Sequence, residues 1–217
     1  MGKKLPEESY LMTPSIQHAL QQLNQVILGK ETVLQQLFAC ILAGGHVLLE
    51  DVPGVGKTTL AQGLAVVLGL DYQRVQFTND MLPSDLLGVN VFRPNEGKFE
   101  FHAGPVFHSF LLADEINRAS PKLQSALLEA MEERQVSVDG KTYMLPKPFV
   151  VVATQNPVEQ LGTFPLPESQ LDRFMMRLSM GYPQADAEKQ LYFQGDKRQV
   201  LPSLQAVCDA KSLMQWQ

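Results

Sequence analysis

The sequence predicts an α/β fold in which a parallel sheet is covered by helices on both faces. Short apolar segments alternate along the chain with segments of helical periodicity, the order expected when helices connect parallel strands. The predicted strands are apolar at consecutive positions, as in 150–153, which is typical of strands that are buried on both faces. A turn with two glycines at 51–56 joins one of these strands directly to a helix.

The elements follow from apolar spacing and from residues that begin or end helices. Pro14 directly follows Thr13, a pair that favours a helix start, and the segment 28–30 ends that helix. The predicted helices are 14–27, 31–43, 59–68, a short turn at 83–86, a helix from 121, and helical patterns at 185–193 and 201–216. The predicted strands of the sheet are 46–50, 72–77, 109–113, 149–153 and 174–178.

Two further segments predict β-hairpins. Apolar residues on either side of the polar turn 93–98 predict a hairpin over 89–101. The second hairpin is predicted at 135–145, where alternating residues surround Asp139-Gly140. Asp-Gly favours a tight primed turn, because both positions of such a turn have positive φ.

Composition narrows the class of protein. The chain has 217 residues, of which 45% are hydrophobic, enough for one sizeable core. The net charge is −5 and no basic run is present, so nonspecific nucleic-acid binding has no obvious electrostatic footprint. Cys40 and Cys208 match no metal spacing and are expected to be reduced thiols. Without an apolar signal core or a membrane-length apolar run, we expect a cytoplasmic protein with no direct membrane insertion.

The turn at 51–58 predicts a phosphate-binding loop. Its glycines let backbone N–H groups converge on an anion, and the following helix N-terminus adds partial positive charge. Lys57 could reach the terminal phosphates, and the Thr58 hydroxyl could hold Mg²⁺. Asp51 stands where the usual pattern has glycine, which leaves open a plain strand–turn–helix connection. The Lys57-Thr58 pair favours nucleotide binding, because a simple connection does not need a lysine there.

Two carboxylates end the apolar segment 109–113. Asp114 could hold the metal, directly or through water, and Glu115 could accept a proton from the attacking water. The alternative is two solvated acids at the end of a strand. Their position after the glycine turn, on a later apolar strand, favours nucleotide hydrolysis.

Two later residues are weaker candidates for the same chemistry. Asn156 follows the strand 149–153 and could orient the attacking water, although asparagine before proline is more often a turn residue. Arg173 could present its guanidinium to the phosphate of a neighbouring subunit. The alternative for Arg173 is a surface ion pair with Asp172.

From about 16 to 183 the chain resembles AAA+ ATPases, and more closely the MoxR family. The resemblance is carried by four segments: Glu50-Asp51-Val52-Pro53-Gly54-Val55-Gly56-Lys57-Thr58, Asp114-Glu115-Ile116-Asn117-Arg118-Ala119, Ala153-Thr154-Gln155-Asn156-Pro157 and Leu171-Asp172-Arg173-Phe174. Aspartate at position 51 is usual in that family. The resemblance implies a three-layer αβα P-loop NTPase fold with a five-stranded parallel sheet, two β-hairpin inserts and a helical lid.

The resemblance also implies roles for individual residues. Lys57, Thr58, Asp114 and Glu115 would be the Walker residues, with Asn156 as sensor 1 and Arg173 as an arginine finger acting in trans. Thr58 and Asp114 would hold Mg²⁺, and catalysis would depend on Glu115, Asn156, Arg173 and Lys57. The implied ATP-binding residues are Ile27, Leu28, Gly29, Pro53, Gly54, Val55, Gly56, Lys57, Thr58 and Thr59.

Three units are expected along the chain. They are a flexible leader at 1–12, the AAA+ nucleotide-binding domain at 13–183, and a partial helical lid at 184–217. The family's lid carries a second sensor arginine, for which we find no convincing counterpart because Arg198 comes too early. The lid is therefore expected to be truncated, and hydrolysis by this chain to be slow.

The resemblance implies a chaperone-like ATPase that works as a ring, expected to be a hexamer, and remodels or matures client complexes with a von Willebrand A domain protein as partner. One alternative is a nucleic-acid motor, which the near-neutral hairpin tips disfavour because such motors carry basic residues there. Another is a nucleotide-gated scaffold without hydrolysis, which the presence of Glu115 disfavours. The client and its pathway stay open.

Overall fold

Five parallel strands form the central sheet. The computed structural model describes residues 14–52, 54–157, 162–181 and 197–217. The described strands are β1 Val47–Glu50, β2 Tyr72–Gln76, β3 Gly88–Arg93, β4 Lys98–Ala103, β5 Phe110–Asp114, β6 Gln135–Val138, β7 Lys141–Met144, β8 Val150–Gln155 and β9 Met176–Leu178. The sheet has the strand order β2-β5-β8-β1-β9, and every neighbouring pair is parallel, as predicted.

Helices cover both faces of the sheet, which gives the predicted three layers. Along β1, Leu49 packs into a core with the first three helices, whereas Leu48 packs into a second core with α5. Both cores are apolar and buried, so the inner strands have consecutive apolar residues, as in β5 and β8. The described α-helices are α1 Pro14–Val26, α2 Glu31–Leu42, α3 Lys57–Val67, α4 Pro83–Leu87, α5 Pro121–Glu133, α6 Glu168–Leu171 and a C-terminal helix Ala210–Trp216.

Both predicted hairpins are present and contact each other. Strands β3 and β4 pair antiparallel, as do β6 and β7. Asp139 and Gly140 have φ values of 50° and 77°, the left-handed pair that a tight primed turn requires. The rings of Phe101 and Tyr143 stack with their centroids 3.9 Å apart, and Asn90 Nδ2 donates to Asp139 Oδ2 at 2.7 Å. The two inserts therefore form one joined surface.

The C-terminal segment differs from the continuous helix predicted at 201–216. A 3₁₀ helix spans Lys197–Ser203 and contains Pro202, which has no N–H for a helical hydrogen bond. The chain then runs without helix to Asp209, whose side chain caps Ala210–Trp216 by accepting from Ser212 N at 2.8 Å. The leader at 1–12 and the helical pattern at 185–193 lie outside the described residues, so the division into three units stays a prediction.

This segment packs on the first layer of helices. Gln22 of α1 donates to the Gln205 carbonyl at 3.1 Å and accepts from Gln205 N at 2.7 Å, and Val207 N donates to the Val67 carbonyl at 2.8 Å. Leu213 is fully buried in the same core. No helix within the described ranges combines the length and the apolar character needed to cross a membrane.

A buried histidine precedes β1 and is expected to make stability depend on pH. His46 is 4% exposed, and its Nδ1 accepts from Val151 N at 3.0 Å. Burial, together with the charge of Arg134, lowers the pKa of His46 from 6.5 to about 3. As the pH falls, residue 46 therefore becomes protonated near pH 6.5 in the unfolded chain but only near pH 3 in the folded chain. Stability from this group is present above pH 6.5 and is lost as the pH falls.

Between the two pKa values the unfolded chain binds one proton more than the folded chain. The free energy of unfolding should therefore fall by roughly 1.4 kcal/mol for each pH unit of acidification in that range. Denaturant unfolding of wild type and His46→Asn between pH 7 and pH 4 measures it. Asparagine keeps an acceptor near Nδ1 but does not titrate, so the variant should lose stability less steeply on acidification. Equal slopes for the two proteins would contradict a neutral, buried His46.

Candidate active site

The carboxyl ends of β5, β8 and β1 lie side by side at one edge of the sheet. The strands are parallel, so the segments that follow them meet at this edge. The glycine turn follows β1, Glu115 follows β5 and Asn156 follows β8. Sheet order thus brings together three segments that the sequence separates by up to about 100 residues.

The glycine turn is open and ends at a helix N-terminus. Gly54 and Gly56 have φ values of 87° and 91°, which L side chains rarely adopt, and a Cβ at Gly54 would meet no atom within 4 Å. Gly56 is the N-cap of α3 and has no side chain to bond the first helical N–H groups. These N–H groups are suited to bind an anion. Thr58 and Thr59, in the same first turn of α3, are half-buried. Pro53 lies outside the described residues.

The side chain of Lys57 bonds back to the start of this turn. Its Nζ donates to the carbonyl oxygens of Asp51 at 2.7 Å and Val52 at 3.0 Å. Burial lowers the pKa of Lys57 from its ordinary value. The carboxylates of Asp51, Asp114 and Glu115 oppose that shift, because each is close enough to stabilise the ammonium. Lys57 therefore shares a local electrostatic environment with Asp114, the predicted metal ligand, and with Glu115, the predicted general base.

Asp114 is buried and held by side chains of both neighbouring strands. Its Oδ1 accepts from the Thr154 hydroxyl of β8 at 2.5 Å, and its Oδ2 accepts from Arg74 of β2. Thr154 Oγ1 also accepts from Glu115 N at 2.9 Å. Sequence analysis missed Thr154 and Arg74. The signal for Thr154 was a hydroxyl at the end of an otherwise apolar strand.

Glu115 has a strained backbone. Its φ of 57° and ψ of 49° place it in the left-handed region, where non-glycine residues cost roughly 1–3 kcal/mol. The hydrogen bond from Glu115 N to Thr154 holds this conformation. The side chain is 30% exposed, and its Oε2 lies 3.3 Å from Arg118 Nη1. A partly exposed carboxylate held in a strained turn beside Lys57 is suited to act on a bound molecule.

The carboxylate of Asp51 explains why aspartate stands where the usual loop has glycine. It is 5% exposed and accepts from Ser179 Oγ at 2.8 Å, from Gly181 N at 2.9 Å and from Met180 N. These three bonds fix the chain that follows β9 to the start of the glycine turn. A glycine could not make that connection.

The segment predicted to meet adenine lies beside the turn. Ile27 is 7% exposed, and its Cδ1 is 4.0 Å from the position that a Cβ on Gly56 would take. Leu28 is half-buried, and Gly29 has a φ of 66° where the chain turns toward α2. These residues form an apolar surface next to the predicted phosphate site.

Arg173 is not at this edge. It precedes β9, so it lies at the amino edge of the sheet, where Met175 N donates to the His46 carbonyl. Its guanidinium pairs with Glu132 of α5 at 2.7 Å, and Nη1 donates to the Ser169 carbonyl at 2.9 Å. It lines a cleft of about 510 Å³ at that edge. Asn156, by contrast, is half-buried at the carboxyl edge, and its carbonyl accepts from Asn117 Nδ2 at 3.3 Å.

A magnesium ion fits the donors of the carboxyl edge. Thr58 and Asp114 offer the hydroxyl and carboxylate oxygens that Mg²⁺ prefers, and Mg²⁺ usually takes its remaining ligands from phosphate and water. The described residues hold no group of three or more His, Cys, Asp or Glu side chains that could bind a metal by themselves.

Residues 46–176 match the model of the ATPase family associated with various cellular activities (AAA). The chain is 50% identical over 194 residues to an uncharacterised protein, YeaC, of Bacillus subtilis, covering 89% of this chain and 61% of that protein. It is 44% identical over 179 residues to chaperone MoxR1 of Mycobacterium tuberculosis, covering 82% and 48%. Protein MoxR of Methylorubrum extorquens is 37% identical over 179 residues, with 80% and 52% covered.

A crystal structure of a candidate ATPase from Cytophaga hutchinsonii has the same fold. It superposes with a TM-score of 0.79 at 42% identity and covers 93% of this chain and 61% of that chain. The chain spans about half to three fifths of the length of these relatives. The matched segment includes the glycine turn, both carboxylates, Asn156 and Arg173. The chain belongs to the MoxR family of AAA+ ATPases.

Proposed function

We propose that this chain binds ATP with Mg²⁺ at the carboxyl edge of its sheet and hydrolyses it to drive remodelling of client protein complexes. The observation that carries the proposal is that the parallel sheet places the open glycine turn after β1 at the same edge as Asp114 and Glu115, where β5 ends. Membership of an ATPase family implies the nucleotide. The hydrolysis, the metal, the ring and the client are our inference.

In the proposed complex, the triphosphate lies along the N–H groups at the start of α3. Lys57 then leaves the carbonyls of Asp51 and Val52 and donates to the terminal phosphates. Adenine packs on Ile27 and Leu28. Thr58 and Asp114 hold Mg²⁺, which supplies charge neutralisation on the phosphate oxygens.

Glu115 acts as the general base in this proposal. Its carboxylate accepts a proton from the attacking water, and Asn156 of the adjacent strand end orients that water. The strained backbone of Glu115 supports this role, since strain that the surrounding hydrogen bonds maintain is commonly found at catalytic positions. A scaffold that only binds nucleotide would not require it.

The position of Arg173 supports action between subunits. Its own phosphate site lies at the opposite edge of the sheet, beyond the full length of a strand. In a head-to-tail ring, however, the amino edge of one subunit can face the carboxyl edge of the next. We propose that Arg173 leaves Glu132 and donates to the neighbour's terminal phosphate, in a ring that we expect to be a hexamer.

Protein clients fit the hairpin surface better than nucleic acid. At the tip of the first hairpin, Arg93 pairs with Glu100 and Lys98 pairs with Glu96, each at 2.5 Å. These pairs neutralise the basic groups that would otherwise contact phosphates. A relative is named a chaperone, and we propose a von Willebrand A domain protein as the functional partner of this chain.

Substitution of Lys57 tests the nucleotide site. Lys57→Ala should weaken binding of a fluorescent, non-hydrolysable ATP analogue about 10- to 100-fold, because a charge-assisted hydrogen bond to phosphate is lost. Lys211→Ala removes an exposed lysine of the C-terminal helix and should leave binding unchanged. Equal binding by wild type and Lys57→Ala in a fluorescence titration would overturn the proposed site.

A further inference from the structure

An arginine is paired with Asp114, the carboxylate that we propose binds the metal. Arg74 of β2 donates to Asp114 Oδ2 through Nε at 3.1 Å and through Nη2 at 2.6 Å. The Asp114 side chain is 11% exposed, whereas that of Arg74 is 45% exposed. The pair joins the edge strand β2 to the end of β5, directly before Glu115.

The pair uses most of the acceptor capacity of Asp114. A carboxylate has about four acceptor positions. Two on Oδ2 are taken by Arg74, and one on Oδ1 is taken by the Thr154 hydroxyl. A metal ion, or water bound to it, could reach Oδ2 only by displacing the guanidinium. The two cations would also repel each other at this separation, and burial weakens the screening of that repulsion.

The Arg74 side chain has a second hydrogen-bond acceptor that it can keep when it leaves Asp114. It lies on β2, the edge strand of the sheet, and nearly half of its side chain is exposed. Its Nη2 also donates to Gln76 Oε1 at 2.6 Å, and Gln76 pairs with Asp114 in the sheet register. Gln76 thus offers an acceptor that remains after the bond to Asp114 is broken. Two arrangements of the same side chain are therefore available.

We propose that Arg74 is a built-in counter-cation of Asp114, which neutralises the carboxylate when no metal is bound and competes with Mg²⁺ for it when nucleotide enters. The inference rests on the proposed function, because it concerns the same metal position. Its consequence is that Arg74 helps nucleotide to bind without metal and opposes the gain that metal brings.

Whether loss of Arg74 raises or lowers the gain in nucleotide affinity from metal distinguishes competition with the metal from simple support of Asp114. Without Arg74 and without metal, Asp114 is an unpaired negative charge near the phosphates, so metal-free nucleotide binding should weaken. With metal, no competitor remains, so binding should be equal to wild type or tighter. If Arg74 merely held Asp114 in place, its loss would reduce the benefit of metal instead.

The experiment measures the dissociation constant of the fluorescent, non-hydrolysable ATP analogue in EDTA and in Mg²⁺. The ratio of the dissociation constant in EDTA to that in Mg²⁺ should rise about 2- to 5-fold in Arg74→Gln and Arg74→Leu, the range that matches a half-exposed ion pair. Making both variants keeps the test valid if one does not fold, which thermal unfolding will show. Lower free Mg²⁺ should also suffice for half-maximal enhancement in both variants.

Arg93→Gln is the matched control. It removes an arginine of similar exposure, 46%, from an ion pair with Glu100 at the hairpin tip, and the ratio should stay at its wild-type value. Asp114→Asn should bring the ratio close to one, and adding Arg74→Gln to it should change nothing further. An unchanged or lowered ratio in both Arg74 variants would overturn the inference alone. Absence of nucleotide binding by wild type would overturn the proposed function together with it.

Discussion

Glu115→Gln is expected to lower ATP turnover about 10²–10⁴-fold while leaving ATP binding in place, the loss typical of removing a general base. The amide keeps the size of the carboxylate but cannot accept the proton of the attacking water. Backbone geometry should be retained, because the bond from the residue 115 N–H to Thr154 does not involve the side chain. Turnover is measured by phosphate release and binding by the fluorescent ATP analogue.

The matched control for this change is Glu129→Gln. Glu129 is an exposed carboxylate of α5, so the same chemical change is made away from the carboxyl edge. Its turnover should equal that of wild type. A Glu115→Gln protein that keeps more than a tenth of wild-type turnover would contradict a base at this position. Loss of binding together with turnover would point to a misfolded site rather than to missing chemistry.

Local patterns predicted most of the fold. The five predicted strands are the five strands of the parallel sheet, and in the inner strands consecutive apolar residues pack into two cores, as Leu48 and Leu49 do. The Asp139-Gly140 turn was predictable because its positive φ values suit few other residue pairs. The helix predicted across 201–216 was wrong, because the α-helix begins only at Ala210. Before it, Gln205 N donates to Gln22 and Val207 N to the Val67 carbonyl, which are tertiary contacts that sequence periodicity does not predict.

Contacts between strands were not predictable from the sequence. Arg74 and Thr154 both bond Asp114, but they come from strands on either side of β5, and the sheet order that places them there is a tertiary property. From the sequence, Asp51 was a departure from the usual loop pattern that is common in the MoxR family, and its contacts were not predicted. Its bonds to residues 179–181 lie about 130 residues away along the chain and need the complete sheet.

The location of Arg173 is similarly a consequence of strand direction. A residue just before a strand of a parallel sheet lies at the opposite edge from the loops that follow its neighbours. The sequence alone left a surface pair with Asp172 as the alternative, and the observed ion pair is with Glu132. This placement separates Arg173 from the proposed phosphate site of the same chain, so its proposed role is tested between subunits.

Arg173→Ala is expected to lower turnover by about 10³-fold or more, the loss associated with arginine fingers. ATP binding by each subunit should be kept, since Lys57 and the glycine turn are untouched. Turnover per wild-type subunit should rise with protein concentration, because a site is complete only between two subunits. Activity that is strictly proportional to concentration across the assembly range would contradict a shared site.

Mixing the two inactive variants separates a shared site from two independent defects. In a ring of Glu115→Gln and Arg173→Ala subunits, an Arg173→Ala subunit supplies Glu115 while a Glu115→Gln neighbour supplies Arg173. Random mixing in equal amounts makes about a quarter of the interfaces intact in a head-to-tail ring, so turnover should return to a similar fraction of wild type. The double variant is the control: mixed with either single variant it leaves every interface without one of the two groups, and no turnover should return. Recovery in those control mixtures, or none in the first, would place Arg173 outside the neighbour's site.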